Sequence, residues 1–429
     1  MLILKRRSGG WQAPHNAKRL PATLAIGLAL LISACATPRK PVISAPSAPA
    51  TAPEATKPAP LPEAQQNRVA LLVPLTGSNA PVGQSIANAA NMALLDVGDK
   101  RVNLRIYDTT PGAGAAAGRA LADGARLILG PLLAGDVRAV EAVATAHNVP
   151  VLSFSNDSSL AGGDVYILGF QPGQSIARTI AYARGRGIDK FAALVPAGVY
   201  GQRAQTAFVR AVDAVGGRST AVVSYTRDPA KMLAAARSVT GFDSRSKAGS
   251  GTATIRPDGS VAQVTGATNP VPFQALLIAD SGSVAGQFLP ALAKFGAPPG
   301  SVILMGTELW NNEPGIARAT ALRGALFASV PDQRFRKLAE RYRAKFGSSP
   351  SRLASFGYDS VLLVNSLAGN WPLGAPFPKA ALSNREGFAG IDGVFRFTPG
   401  NVAERGLEVQ QIGAGVITTV APASRSFSN

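Results

Sequence analysis

Short apolar runs alternate with helical segments along most of this chain, starting abruptly at Arg68. The first run is Val69-Ala70-Leu71-Leu72-Val73-Pro74, bounded by Thr76-Gly77. Its length and composition are typical of a strand buried on both faces of a parallel sheet. A helix is predicted over 82–97 and the next strand over 102–107. Strands that alternate with helices form right-handed βαβ units, so the sequence predicts an α/β fold.

The alternation falls into two consecutive series, which predicts two lobes. Further strands are predicted at 127–129, 150–154 and 165–170 in the first series, and at 191–195, 219–225, 275–279 and 301–305 in the second. The boundary falls around 169–174. A polar segment, 241–272, interrupts the second series and contains a predicted hairpin of strands 252–256 and 261–264 around Asp258-Gly259. Such insertions are functional or disordered, and the sequence leaves both open.

The N-terminal segment has the pattern of an export signal that ends at the only cysteine, Cys35. Five basic residues precede an apolar run at 22–32, which is too short to span a bilayer. The run closes on Ile32-Ser33-Ala34-Cys35, which resembles the bacterial lipoprotein signal, whose cysteine is lipidated. A plain secretory signal cut near Ala34 or Ala36 is the alternative, and it would leave an exported free thiol.

Residues 36–67 are rich in Pro, Ala, Ser, Thr and Glu, and they cannot build a core. Together with Cys35 they are predicted to form a tether, 35–67, behind a signal peptide, 1–34. A proline-rich chain rises about 3.1 Å per residue, so the tether could reach roughly 90 to 100 Å. Because Ala36 rather than aspartate follows the cysteine, the outer membrane is the predicted anchor site, on its periplasmic face.

The composition argues against most catalytic chemistry. His147 is the only histidine after Cys35, so neither a disulfide scaffold nor a Cys/His metal site is expected. No Gly-x-Ser-x-Gly elbow is present, and no base accompanies a candidate nucleophile. The run Gly112–Gly118 has glycines off the dinucleotide spacing and reads as a flexible loop before a helix. We therefore predict a protein that is not an enzyme and has no cofactor.

The chain is strongly basic, with a net charge of +18, and removing the five basic residues of the signal leaves +13. For an exported protein this charge favours anionic envelope polymers, lipid head groups or an acidic protein face over nucleic acid. The densest group of basic residues lies on one predicted helix, where apolar residues recur at helical spacing: Arg334, Arg336, Lys337, Arg341, Arg343 and Lys345. This is either a solvated face or a docking patch.

A series of motifs resembles the periplasmic binding proteins of the leucine/isoleucine/valine-binding family. The opening motif is Val73-Pro74-Leu75-Thr76-Gly77 followed by Ala80-Pro81-Val82-Gly83. The motifs that follow in the family's order are Leu129-Gly130-Pro131, Val149-Pro150-Val151-Leu152-Ser153, Val199-Tyr200-Gly201, Leu304-Met305-Gly306, Phe356-Gly357-Tyr358-Asp359 and Phe388-Ala389-Gly390-Ile391-Asp392-Gly393. The resemblance implies the type I fold: two lobes, each a parallel sheet flanked by helices, joined by three crossovers.

The resemblance also implies how the chain is divided. Lobe one would comprise 68–171 and 307–382, and lobe two would comprise 172–306 and 383–422, with a tail at 423–429. Family members bind amino acids between the lobes. The implied cleft residues here are Ser155, Asp157, Tyr200, Asp280 and Glu308, with Glu308 at the position that binds the ligand's ammonium group. Asp157 stands where a hydroxyl normally donates, and its loop contains no cation that would attract a carboxylate.

The C-terminal stretch from Phe395-Arg396-Phe397 to Glu408-Val409 resembles a subset of this superfamily, the lipoprotein penicillin-binding protein activators (LppC-like). The resemblance implies an outer-membrane lipoprotein that binds and activates a peptidoglycan synthase, a class A penicillin-binding protein. The alternative is a lipid-anchored solute-binding protein that delivers an amino acid or amide-like ligand to an ABC importer.

Overall fold

The structure, a computed structural model, describes residues 66–248, 254–255, 261–262, 269–311, 313 and 315–427. The predicted signal peptide, Cys35 and the tether up to residue 65 lie outside these ranges. The last predicted tether residue, Asn67, begins the first strand instead. Among the described residues, no helix combines the length and the apolar character needed to cross a membrane.

The first lobe is built on a five-stranded parallel sheet with the order β2-β1-β3-β4-β5. Its strands are β1 (Asn67–Val73), β2 (Val102–Asp108), β3 (Leu127–Leu129), β4 (Val151–Ser153) and β5 (Val165–Ile167). Its first helices are α1 (Ala80–Val97), α2 (Ala113–Ala122) and α3 (Ala134–Thr145). Successive side chains of β1 point to opposite faces, so Leu71 packs with α1 while Leu72 packs with α2 and α3. Burial on both faces explains the continuous apolar run in the sequence.

The second lobe is built on a seven-stranded sheet with the order β17-β16-β12-β11-β10-β6-β7. Its strands are β6 (Lys190–Pro196), β7 (Arg218–Tyr225), β10 (Ala275–Ile278), β11 (Ile303–Met305), β12 (Leu326–Ser329), β16 (Glu408–Ile412) and β17 (Ile417–Ala421). Its helices are α4 (Pro172–Gly185), α5 (Val199–Ala214), α6 (Pro229–Val239), α7 (Phe242–Ala248) and α8 (Gly282–Lys294). The sheet is parallel except at β16 and β17, which pair antiparallel.

The chain passes between the two sheets three times, after β5, after β12 and after β15. After β12 it forms α9 (Gln333–Phe346) and α10 (Ala354–Ala368), and α10 packs against α1. A small antiparallel sheet follows, made of β13 (Phe388–Gly390), β14 (Gly393–Phe397) and β15 (Ala403–Arg405). Its rings, such as Phe395, are buried in the core of the first lobe.

Two of these crossings differ from the predicted lobe boundaries. The sequence placed 307–382 in the first lobe, but β12 belongs to the second sheet, where Leu326 pairs with Met305. It also placed the return to the second lobe at residue 383, whereas the small sheet stays with the first lobe and the return follows Arg405. The physical reason is burial: Phe327 packs into the second core and Phe388 into the first.

The polar segment 241–272 is partly helical, which the sequence pattern did not predict. α7 is tied to its surroundings by Arg245, whose Nε donates to the Thr240 carbonyl at 2.7 Å and whose Nη2 donates to the Phe295 carbonyl at 2.5 Å. The predicted hairpin is confirmed by the antiparallel pairing of β8 (Thr254–Ile255) with β9 (Val261–Ala262). Its turn at 257–259 lies outside the described residues.

In both lobes, a helix packs very closely against the end of the strand that precedes it. A Cβ added to Gly83 of α1 would lie 1.7 Å from the Pro74 carbonyl oxygen, and one added to Gly201 of α5 would lie 1.6 Å from that of Pro196. Only glycine lets each helix begin so near the end of its strand. In both lobes this packing sets the loops at the carboxyl ends of the strands.

Four charged residues lie together where the chain passes between the lobes: Asp359, Asp392 and Arg405 are buried, and the Arg352 side chain is 11% exposed. Arg352 donates to an Asp392 oxygen at 2.7 Å. The Asp359 carboxylate accepts the backbone amides of Ile391 and Asp392, at 2.5 and 3.2 Å. The Arg405 Nη2 donates to the Leu168 carbonyl at 2.8 Å, and its guanidinium lies 5.1 Å from the centre of the Phe395 ring.

Candidate functional site

All five candidate residues lie at the carboxyl ends of strands. Ser155 and Asp157 follow β4 in the first lobe, whereas Tyr200, Asp280 and Glu308 follow β6, β10 and β11 in the second. Open α/β sheets bind ligands in the crevice outside these strand ends. The five residues therefore lie at the sheet edges where this class of fold binds ligands, and they fall into three separate hydrogen-bonded groups.

The first group crosses the cleft. The Asp157 carboxylate of the first lobe is in a salt bridge with Arg203, which projects from α5 of the second lobe. Asp157 also accepts the backbone amide of Ser159 at 3.0 Å. Burial acts to raise the pKa of Asp157, but the hydrogen bonds from Arg203 and Ser159 outweigh it and hold the pKa below its usual value. The cation that the Asp157 loop lacks thus comes from the other lobe.

Ser155 has a structural position within the same loop. Ser155 is buried, and its Oγ accepts a hydrogen bond from the backbone amide of Asp157 at 3.1 Å. Its own amide donates to the Ser153 Oγ at 3.1 Å. Because Ser155 holds the loop from within, it fixes the position of Asp157 toward Arg203.

The second group surrounds Glu308. The Tyr200 hydroxyl donates to Glu308 Oε1 at 3.1 Å and lies 3.0 Å from the Thr307 hydroxyl. Glu308 Oε2 is buried and has no hydrogen-bond partner among the described residues, although the residue as a whole keeps some exposure. Burial of the carboxyl raises its pKa to about 7. Burial also raises the pKa of Tyr200, and the neighbouring Glu308 charge adds to this rise.

The third group surrounds Asp280, which is 1% exposed. Arg227 binds both carboxylate oxygens, at 2.6 and 3.0 Å, and the Tyr225 hydroxyl donates at 2.9 Å. The backbone amide of Ser281 adds a fourth bond at 2.8 Å. Burial raises the pKa of Tyr225, and the Asp280 charge raises it further. Every Asp280 oxygen is therefore occupied by the protein itself.

Sequence reasoning missed the partners of these carboxylates, above all Arg203, Arg227 and Tyr225. A signal existed for Arg203, because it lies three residues after Tyr200 and side chains at that spacing share a helix face. Arg227 and Tyr225 gave no such signal. They reach Asp280 because β7 and β10 lie on either side of β6 in the sheet, which the sequence does not show. Within the described ranges, no three His, Cys, Asp or Glu side chains gather as a metal site would require.

Comparison with known families identifies the fold that carries this cleft. The family model for periplasmic binding protein matches residues 66–415. The chain belongs to the periplasmic binding protein family. The predicted two-lobed type I fold is thereby confirmed.

Individual relatives are distant. An uncharacterized protein of Rickettsia prowazekii is 28% identical over 142 residues, which is 33% of this chain and 38% of that protein. Among solved structures, a putative branched-chain amino acid ABC transporter protein from Rhodospirillum rubrum has a TM-score of 0.65 at 19% identity, over 83% of this chain and 100% of its own. The C-domain of LpoA from Haemophilus influenzae, a regulator of PBP1A, has a TM-score of 0.59 at 17% identity, over 83% of this chain and 100% of its own. At these identities the likeness shows the fold alone.

Proposed function

We propose that this protein is an outer-membrane lipoprotein that binds and activates a peptidoglycan synthase of the class A penicillin-binding protein type. The observation that carries the proposal is the state of the cleft. Two of the three candidate carboxylates, Asp157 and Asp280, are bound by arginines of the chain itself. A solute-binding protein must instead offer such groups to its ligand.

The pairing also opposes an amino-acid ligand on energetic grounds. A ligand carboxylate entering beside Asp157 would have to displace that residue from Arg203, leaving a partly buried negative charge without its partner. Because both side chains are partly exposed, at 28% and 18%, losing this partner costs about 1 kcal/mol. A cleft closed by its own side chains fits a head that acts through its outer surface.

The likeness to the LpoA C-domain supports the same proposal, because a regulator of a penicillin-binding protein is built on this fold. The chain spans 59% of full-length LpoA from Haemophilus influenzae in a separate match at 18% identity and a TM-score of 0.57. The sequence-based tether supports a reach from an outer-membrane anchor toward a synthase in the inner membrane. Anchorage is part of the proposal: Cys35→Ser should move the protein from the membrane to the soluble fraction.

The test measures glycan-strand polymerisation by a purified class A synthase from the same organism, with and without the lipoprotein in detergent micelles. Activation predicts a rate that rises with lipoprotein concentration and saturates at a defined stoichiometry. A heat-unfolded sample of the same lipoprotein is the control for detergent and lipid effects. An unchanged rate, together with no detectable complex, would falsify the proposal.

One observation favours the alternative, a solute-binding protein for an ABC importer. Glu308 Oε2 is a buried carboxylate oxygen for which the described residues supply no hydrogen-bond partner, and it could receive a ligand ammonium group. Thermal unfolding with a panel of amino acids and amides separates the two functions, because a ligand at 100 times its Kd adds about 2.7 kcal/mol of stability. A shift with one ligand that Glu308→Gln abolishes would favour transport, and no shift across the panel would favour activation.

A further inference from the structure

The outer face of α9 is the most strongly charged surface element of the chain. Its six basic residues, Arg334, Arg336, Lys337, Arg341, Arg343 and Lys345, are all exposed, and Glu340 is the helix's only acidic residue. The apolar face of the helix packs into the protein core, where Phe335, Leu338 and Tyr342 are buried. The helix is therefore held by its core contacts, and its charges are left to solvent.

Four of these cations form a continuous stripe. Arg334, Lys337, Arg341 and Lys345 follow one another at spacings of three, four and four residues, and side chains at these spacings are neighbours on one helix face. Each adjacent pair in the stripe is a like-charge pair, which destabilises a helix by about 0.2 to 0.5 kcal/mol. The stripe therefore lowers the stability of the helix in the isolated protein.

The protein neutralises little of this charge. Arg341 is paired with Asp96 of α1 at 2.6 Å, and Arg334 donates to the Gly390 carbonyl at 2.8 Å, which leaves its charge uncompensated. Lys345 lies 5.8 Å from the Phe346 ring and, after Arg341, also acts on Asp96, whose pKa both cations lower. Within the described part of the chain, the Lys337 ammonium group has no polar partner. Within a Debye length of about 8 Å, an acidic surface would gain from all of these cations together.

The structure disfavours a membrane as the occupant. Helices that bind a lipid surface insert large apolar side chains on the face opposite their basic residues. On α9 that face is buried against the first lobe, and the large exposed apolar residues of the described chain lie on other elements. An acidic protein surface needs only exposed cations on a rigid support, which α9 provides.

We propose that this basic stripe docks an acidic surface of the peptidoglycan synthase. The inference rests on the proposed function and names the part of the head that would contact the partner. Because surface charge acts mainly on association, docking should be fast at low salt and should weaken steeply as salt rises.

The test reverses two stripe charges in the full-length lipoprotein, Lys337→Glu with Lys345→Glu. The matched control is Lys231→Glu with Lys294→Glu in the second lobe. The two pairs are alike: Lys231 and Lys337 are exposed helix residues whose ammonium groups have no polar partner among the described residues, and Lys294 and Lys345 each lie 5.8 Å from a phenylalanine ring. Binding to the purified synthase is measured at several salt concentrations, and thermal unfolding checks that all variants are folded.

We expect the stripe variant to lose roughly tenfold or more in affinity, mostly in the association rate, and to show a flatter salt dependence, while the control keeps wild-type binding. Equal losses in both variants would mean that only net charge matters, and would overturn the docking site. Unchanged binding in both would overturn it too, yet leave the proposed activation standing. If the wild-type protein binds no synthase, both proposals fail. Stripe-dependent binding to phosphatidylglycerol vesicles without an effect on the synthase would assign the stripe to a membrane instead.

Discussion

The cleft and the crossing between the lobes both hold buried carboxylates, but they hold them in different ways. In the cleft, each paired carboxylate is bound by an arginine that keeps contact with solvent: the Arg227 side chain is 65% exposed and that of Arg203 is 28% exposed. At the crossing, Arg405 is only 6% exposed, and it shares its surroundings with Asp359 and Asp392.

This difference in exposure indicates which of the ion pairs can separate in the folded protein. The Asp157–Arg203 pair can separate at modest cost because both side chains are partly exposed, whereas the buried Asp280 is held by four hydrogen bonds. The Arg405 guanidinium has two nitrogens without a hydrogen-bond partner among the described residues, and they lie against aromatic rings rather than solvent. Those charges are stabilised by one another and by buried backbone groups rather than by water, so the crossing is a fixed structural element.

The largest expected effect is therefore at the crossing. Arg405→Ala should lower the free energy of unfolding by about 3 to 5 kcal/mol, because Asp359 and Asp392 would face a single remaining cation in a buried site. Urea unfolding at neutral pH measures the loss.

The matched control for this prediction is Arg396→Ala in the same small sheet. Arg396 pairs with Glu404 at 2.9 Å, but both side chains are about a third exposed, at 31% and 41%. Such a pair is worth about 0 to 1 kcal/mol. If the two variants lose equal stability, the contrast between crossing and surface is wrong.

The second prediction concerns Glu308, whose effect depends on pH. The pKa of its carboxyl is raised from 4.5 to about 7 in the folded protein. The folded state therefore binds more protons than the unfolded state between these values, and stability falls as pH rises from 4.5 through 7. The stability lost should be up to about 3 kcal/mol, since one pKa unit corresponds to about 1.4 kcal/mol.

Glu308→Gln should remove the Glu308 share of this pH dependence while keeping the Tyr200 hydrogen bond, whereas Asp359, whose pKa burial also raises to about 7, keeps its own share. We expect the variant to be more stable than the wild type at pH 8 and equally stable near pH 4, as measured by urea unfolding across the range. Asp280→Asn serves as the contrasting change, because its carboxylate is bound by Arg227 and should lose rather than gain stability. A stability difference between wild type and Glu308→Gln that stays constant from pH 4.5 to 7 would contradict the prediction.

The sequence predicted the sheets well and the contacts across them poorly. Continuous apolar runs such as Val69–Val73 identify parallel strands because burial on both faces requires them. The lobe assignment of β12 depended instead on packing between residues far apart in the chain, as in Leu326 opposite Met305. The five cleft residues could be named from motifs at strand ends, but Arg203 and Arg227 reach them from neighbouring elements. The helix spacing from Tyr200 indicates the face on which Arg203 lies, but its pairing with Asp157 depends on how the two lobes are assembled.

The smallest expected effect is at the pair that joins the lobes across the cleft. In a double-mutant cycle of Asp157→Asn with Arg203→Gln, we expect a coupling free energy of about 1 kcal/mol, since both side chains are partly exposed. The pKa of Asp157 is held below 3.8, so this contribution is present above 3.8 and is lost as pH falls through the lowered pKa. Its pH response is thus opposite to that of Glu308.

The same two variants test whether the pair holds the lobes together. Small-angle X-ray scattering should show a larger radius of gyration for Arg203→Gln than for the wild type if the Asp157 pair restrains lobe opening. Arg184 and Asp189 provide the control, because they form an exposed pair within the second lobe alone. Removing that pair should leave the scattering unchanged, whereas an equal change in both would mean that the cleft pair does not restrain the lobes. If the cleft opens only when this pair is lost, one partly exposed arginine restrains the lobes there. At the crossing, in contrast, the charges are held by several buried contacts.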